Sequence, residues 1–245
     1  FKKRYFRAMG DALELIAGAD PEAVTALLKE KLEKQDIIPA LDESEDYNEA
    51  QMQVLLEAGY DHVDIIKAQH FAREKAEKGT DRATYQAMEA LIHNLNTMHS
   101  RAGAQTPFSS INYGMDTSSE GRMVVKNMLL VTEKGLGNGE TPIFPIQIFR
   151  VKEGINFNPG EPNYDLFKLS CRVSAKRLFP NFSFQDAPFN IKYYKGTPET
   201  EPDDQDLYFS GGVSGHDHLW HGGYGDPKPE DRGDHGWRQL ACGVS

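Results

Sequence analysis

The sequence predicts an α/β protein with a helical flank at its N-terminal end, and three observations carry that reading. Residues 105–113 alternate polar and apolar side chains and run into Asn112-Tyr113-Gly114, a strand followed by a turn. Residues 142–149 are almost wholly apolar, the pattern of a short strand buried on both faces. Between them, 118–134 has helical spacing and is closed by Gly135, which supplies a left-handed residue at a helix end. Strand, helix, covered strand is the order of an α/β sheet.

Composition sets the bounds. The chain has 245 residues, 39% hydrophobic and 26% charged, as in an ordinary globular protein. No apolar run reaches the length of a membrane span and no secretory signal is visible, so the expected location is the cytoplasm, with no membrane partner. A net charge of −10 argues against nonspecific binding to nucleic acid. Two cysteines, Cys171 and Cys242, form no disulfide framework and suit a reducing compartment. The chain opens on Phe1, and is expected to begin inside a longer reading frame.

Residues 1–79 form the helical flank. Phe6, Met9, Leu13 and Ile16 share one face of a first helix, which Gly18 ends. Pro21 opens a second helix with Val24, Leu27, Leu28 and Leu32 along one side. A polar connector, 36–46, leads to helical stretches at 47–56 and 63–78. Thr80 is expected to cap a further helix, with Met88, Leu91, Ile92, Leu95 and Met98 as its core stripe. His93, Asn94, Asn96 and His99 lie off the centre of that stripe, as exposed or capping groups.

Thr117-Ser118-Ser119-Glu120 fits a capping box, in which threonine and glutamate serve the free N–H groups of a helix start. Gly135, Gly137 and Gly139 follow a helix and lead into a strand. The dinucleotide fingerprint needs the reverse order, so a nicotinamide dehydrogenase is rejected. Pro162 and Pro180 bracket another helix, with Leu166, Leu169 and Val173 buried and Lys176 and Arg177 set against its dipole. Cys171 within it reads as a small packing residue. Residues 182–189 give a last short strand.

Long uninterrupted words carry a family resemblance: HNLNTMHSRAGAQTPFSSINYG, EGRMVVKNMLLVTEKGLGNGETPIFPIQIF and FNPGEPNYDLFKLSCRVSAKRLFPNFSFQDAPFN. Together they resemble the catalytic domain of anaerobic, glycyl-radical ribonucleoside-triphosphate reductases. The resemblance implies that 80–209 is part of a ten-stranded α/β barrel and that the chain is an internal fragment of such an enzyme. The activity it implies is reduction of ribonucleoside triphosphates to deoxyribonucleotides. Removing an unactivated 2′-hydroxyl lies beyond acid–base side chains, and a cofactor system must supply the radical. The implied system is a glycyl radical made by a partner activase with S-adenosylmethionine and an iron–sulfur cluster, with formate as reductant and a structural zinc site. Nucleotide effectors and a homodimer are implied as well, with helices of the flank near the dimer contact helping to form the effector site.

Within that frame Arg101, Gln105, Ser109, Ser110 and Asn112 are the expected substrate-binding residues. Arginine pairs with phosphate, while serine and asparagine reach sugar or phosphate oxygens. The competing reading of each is a loop-stabilising hydrogen bond. No catalytic residue and no metal ligand is assigned. The Cys-Arg-Thr-Arg-Val motif that carries the family's radical cysteine is not matched after Tyr208, nor is its C-terminal glycyl-radical motif. Residues 210–245 form an unmatched tail rich in glycine and histidine, frame-shifted, fused or unpacked. His216, His218 and His221, with His235 and Cys242, could form a metal site, but the glycine-rich context argues against one. The leading expectation is a fragment inactive by itself. The alternative is a non-catalytic nucleotide-binding or dimerisation remnant of the enzyme.

Overall fold

A computed structural model describes residues 1–42, 44–98 and 106–188. The chain divides into two compact units, one of residues 1–87 with 118–123, the other of 88–117 with the residues from 124 onward.

The first unit is helical. Helix α1 spans Lys2–Ala17, α2 Pro21–Lys31 and α3 Glu45–Glu57, and α4 begins at His62. Each start and stop has a local cause. Gly18 ends α1 in the left-handed conformation, Asp20 caps α2 by accepting from Glu22 N–H, and Ser44 caps α3 by accepting from Tyr47 N–H. The core joins Tyr5, Phe6, Met9 and Leu13 to Val24, Leu28, Leu55 and Ile65. Ala68, Ala72 and Ala76 put a small-residue face of α4 into this core. A Cβ on Gly10 would lie 2.7 Å from the Pro21 carbonyl oxygen, so only glycine permits that approach of α1 to the start of α2. Ile16 falls outside the core and is exposed.

Two expectations about α4 are corrected. The helix runs without interruption to Thr97, through Gly79 and Thr80. Thr80 caps nothing: its hydroxyl donates to the Ala76 carbonyl at 2.7 Å, a bond made inside a helix. Of the stripe from Met88 to Met98, only Ile92 is buried, while Leu91 and Met98 are exposed.

The second unit holds a parallel three-stranded sheet of order β1-β2-β3: β1 Ser110–Tyr113, β2 Ile146–Val151 and β3 Asn181–Phe184. Helix α5, Ser119–Lys134, connects β1 to β2, and α6, Tyr164–Arg177, connects β2 to β3. The expected pairing of 105–113 with 142–149, with a helix between them, is present in this shorter form. β2 starts at Ile146 because Pro145, behind a cis bond, has no N–H to give a ladder, and Ile143 is 66% exposed. Asn96 holds that approach. Its Oδ1 accepts from the N–H groups of Ile143 and Phe144 at 2.8 and 3.0 Å, and its Nδ2 donates to the Phe144 carbonyl at 2.6 Å.

Ser118, one residue later than expected, caps α5 by accepting from Gly121 N–H at 3.1 Å. Glu120 serves Leu41 N–H instead of the cap. Gly135 takes φ +83°, and the glycine loop closes through Leu136 N–H to Glu140 O and Gly139 N–H to Leu136 O, a tight turn as expected.

Candidate functional site

Partners in a parallel ladder share a face and successive residues alternate. Ser110 pairs with Ile146, Asn112 with Ile148, and Arg150 with Ser183. The other face carries Tyr113, Gln147, Phe149, Val151 and Phe182. It is sealed by α5 through Val125 and Leu129 and by α6 through Leu166 and Val173. Burying aliphatic side chains of this size stabilises by roughly 1.5–3 kcal/mol each. The helix-covered face therefore fixes the sheet, and the opposite face carries Ser110, Asn112 and Arg150 together with Ile146 and the buried Ile148 and Ser183.

Ser110 and Asn112 are thus brought together, two residues apart on one face. The Ser110 hydroxyl oxygen is shielded from solvent and has no hydrogen-bond partner among the described residues. Asn112 is exposed. Ser109 is separated from them: it precedes the strand, its hydroxyl donates to Pro107 O at 3.4 Å, and its carbonyl accepts from Ile146 N–H. Arg101, Gln105, His99 and the whole of 210–245, with its candidate metal ligands, lie outside the described residues.

Sequence reasoning missed three residues of that face. Arg150 follows Ile146 and Ile148 at strand spacing inside an apolar run, the one signal that could have marked it. Its Nη2 donates to Gln185 Oε1 at 3.2 Å, and Gln185 Nε2 donates to the carbonyl and hydroxyl oxygens of Ser183 at 3.1 and 3.0 Å. Ser183 and Gln185 are buried.

The strand ends are pinned by two buried asparagines. Asn156 Nδ2 donates to Gly114 O and Arg150 O at 3.0 and 2.9 Å, and its Oδ1 accepts from Lys152 N–H at 2.9 Å. Asn163 Nδ2 donates to Gly114 O at 3.2 Å and Asp116 O at 2.8 Å. Gly114, at φ +117°, is obligatory there, since a Cβ would lie 2.8 Å from Arg150 O. Glu161 organises the same loop by accepting from Gly154 N–H and from both nitrogens of Asn158.

On the helix-covered face Tyr113 donates to Gln147 Oε1 at 2.6 Å, and Gln147 Nε2 donates to Thr132 Oγ1 at 2.9 Å. Burial pushes the Tyr113 phenol well above its ordinary pKa and keeps it a neutral donor. A small cavity of about 230 Å3 opens where β2 and β3 end, lined by Val151, Lys152, Glu153, Phe157, Phe184, Asp186 and Ala187. Cys171 is exposed on α6, which corrects its expected packing role, and partial desolvation by its neighbours outweighs a Ser170 hydrogen bond and raises the thiol pKa. Among the described residues no group of three or more His, Cys, Asp or Glu could hold a metal ion, and no helix is long and apolar enough to cross a membrane.

A parallel sheet with connecting helices packed on one side is an α/β arrangement. The chain belongs to the anaerobic ribonucleoside-triphosphate reductase family, whose model matches residues 51–210. It is 33% identical over 139 residues to the anaerobic ribonucleoside-triphosphate reductase of Salmonella typhimurium, covering 56% of this chain and 19% of that protein. The bacteriophage T4 protein of the same name is 39% identical over 118 residues, covering 48% of this chain and 19% of the relative. The Haemophilus influenzae protein is 36% identical over 102 residues, 41% and 14% of the two chains. The chain thus spans less than a fifth of the length of these relatives.

Proposed function

We propose that this chain is a wall segment of the catalytic domain of an anaerobic ribonucleoside-triphosphate reductase, and that it contributes substrate-binding groups to a ten-stranded α/β barrel. In that reading residues 80–209 belong to the barrel, 1–79 to a helical flank and 210–245 to a tail outside it. The observation that carries the reading is the polar sheet face opposite α5 and α6, where Ser110 and Asn112 stand together within the family-matched stretch. Ser110 and Asn112 would contact the sugar or phosphate oxygens of a ribonucleoside triphosphate, with Arg101, Gln105 and Ser109 on the approach to β1.

The radical chemistry of the complete cytoplasmic enzyme would come from a glycyl radical. An iron–sulfur activase using S-adenosylmethionine would install it, and nucleotide effectors and a homodimer would complete the system. No described residue fits a zinc site, and none is assigned to it. The contribution of this chain is to bind and orient. The alternative, a non-catalytic binding or dimerisation remnant, uses the same surface.

The test is calorimetric titration of the 245-residue chain with CTP and ATP. Saturable binding that weakens about tenfold in Asn112→Ala and several-fold in Ser110→Ala is expected, from loss of hydrogen bonds to charged oxygens. Absence of saturable triphosphate binding by the unmodified chain would remove this reading.

A further inference from the structure

We propose that the helical unit encloses an ordered internal water, held by Gln51 and Tyr47 where α1, α3 and α4 meet. Gln51 is fully buried on α3. Its Oε1 accepts from Tyr5 Oη at 2.9 Å and from Gln69 Nε2 at 3.1 Å. Those two donors fix the orientation of the amide and occupy its acceptor, so the two N–H bonds of Nε2 face elsewhere. Nε2 is shielded from solvent and has no hydrogen-bond partner among the described residues. The same holds for the hydroxyl of Tyr47, a residue only 4% exposed and one helical turn before Gln51 on α3. Side chains four apart share a helix face. Both of them meet Tyr5. Its ring packs edge-on against Tyr47 with centroids 5.8 Å apart, and its hydroxyl reaches Gln51.

The two groups left over decide the ligand. One is a pure donor, and the other is a phenol that burial and the nearby Tyr5 keep protonated. A metal cation would need acceptors. An anion would need a buried positive charge, and among the described residues no charged side chain is buried. Water meets both demands. Its oxygen accepts from Gln51 Nε2, and it exchanges a second bond with Tyr47 Oη, which can donate or accept. Buried polar groups without a protein partner are served in this way. The place is a junction already, because Gln51 ties Tyr5 of α1 to Gln69 of α4, and Gln69 Nε2 also donates to the Asn48 carbonyl at 3.0 Å. The water completes that polar network inside an otherwise apolar core.

The experiment compares the full chain with Tyr47→Phe and Tyr5→Phe by oxygen-17 magnetic relaxation dispersion, which counts long-lived internal waters, and by thermal melts. Tyr47→Phe is expected to lose one long-lived water and to melt about 2–4 °C lower, the shift for one hydrogen bond in a chain of this size. Tyr5→Phe is expected to melt lower with the water count unchanged, since that hydroxyl bonds Gln51 directly. A dry, unsatisfied Tyr47 hydroxyl predicts the opposite sign, because its removal relieves a buried polar group and raises the melting temperature.

An unchanged water count in Tyr47→Phe, or a higher melting temperature, would overturn the assignment. Should that variant fail to fold, a crystal structure of the unmodified chain decides. A water oxygen about 2.7–3.2 Å from both Gln51 Nε2 and Tyr47 Oη would support the site. A direct bond between those two atoms, or apolar contacts alone around them, would overturn it.

Discussion

At the scale of single residues, three asparagines of the second unit direct their side-chain amides at backbone atoms. Asn156 and Asn163 together satisfy the carbonyls of Gly114, Asp116 and Arg150, and Asn96 satisfies the peptide groups that lead into β2. Asn156 and Asn163 thereby set where the Arg150 backbone and the end of β1 lie. Asn156→Ala removes two donated bonds and one accepted bond at a fully buried site. The expected loss is about 2–4 kcal/mol of unfolding free energy, because partners stay buried without compensation. Asn156→Asp separates hydrogen bonding from volume. Its carboxylate can accept from Lys152 N–H but cannot donate to the two carbonyls, so at neutral pH it should be no better than alanine. Urea titration of the three proteins checks this, and an aspartate variant as stable as the parent would show that the donated bonds carry little.

At the scale of elements, helix α5 joins β1 to β2, and both of its ends are built by residues outside its apolar stripe. Ser118 opens it, and Arg177 at the end of α6 closes it. The guanidinium donates to the carbonyls of Glu133, Lys134 and Gly139 at 2.6–3.0 Å. Arg177 was read as a cation for its own helix dipole; in the fold it caps the C-terminus of its neighbour, where the free carbonyls are. Arg177→Lys retains the charge but not the planar fork, so it should recover little of the roughly 1–2 kcal/mol lost in Arg177→Ala. Chemical denaturation of both variants tests that order, and full recovery by lysine would reduce the interaction to charge alone. Helix existence and type were legible because α1, α2, α5 and α6 each show an apolar face at helical spacing. The unbroken α4 was not, since a threonine after a glycine carries the same letters as a cap whether or not the helix stops.

At the scale of the whole molecule, legibility followed range. The parallel pairing of β1 and β2 was readable from two strands and the helix between them, whereas the Arg150–Gln185 contact joins β2 to the turn just past β3 and leaves only Arg150's place in an apolar run as a trace. Family words pointed to the reductase, and the match over 51–210 bears that out. The same separation of faces bears on turnover. Removing a ribose 2′-hydroxyl needs a thiyl radical beside the substrate, hence a cysteine on the substrate side of the sheet. Cys171 is exposed on α6, which packs through Leu166 and Val173 against the face opposite Ser110 and Asn112. The sheet therefore stands between that thiol and the proposed site. With activase, S-adenosylmethionine and formate under anaerobic conditions, the purified chain should bind triphosphate and form no deoxyribonucleotide. Cys171→Ala should leave triphosphate affinity unchanged and stability within about 0.5 kcal/mol, as for an exposed substitution. Chromatographic product analysis beside calorimetry reads both. Product formation abolished by Cys171→Ala would move the reacting centre to the helix side of the sheet and take the substrate assignment of Ser110 and Asn112 with it.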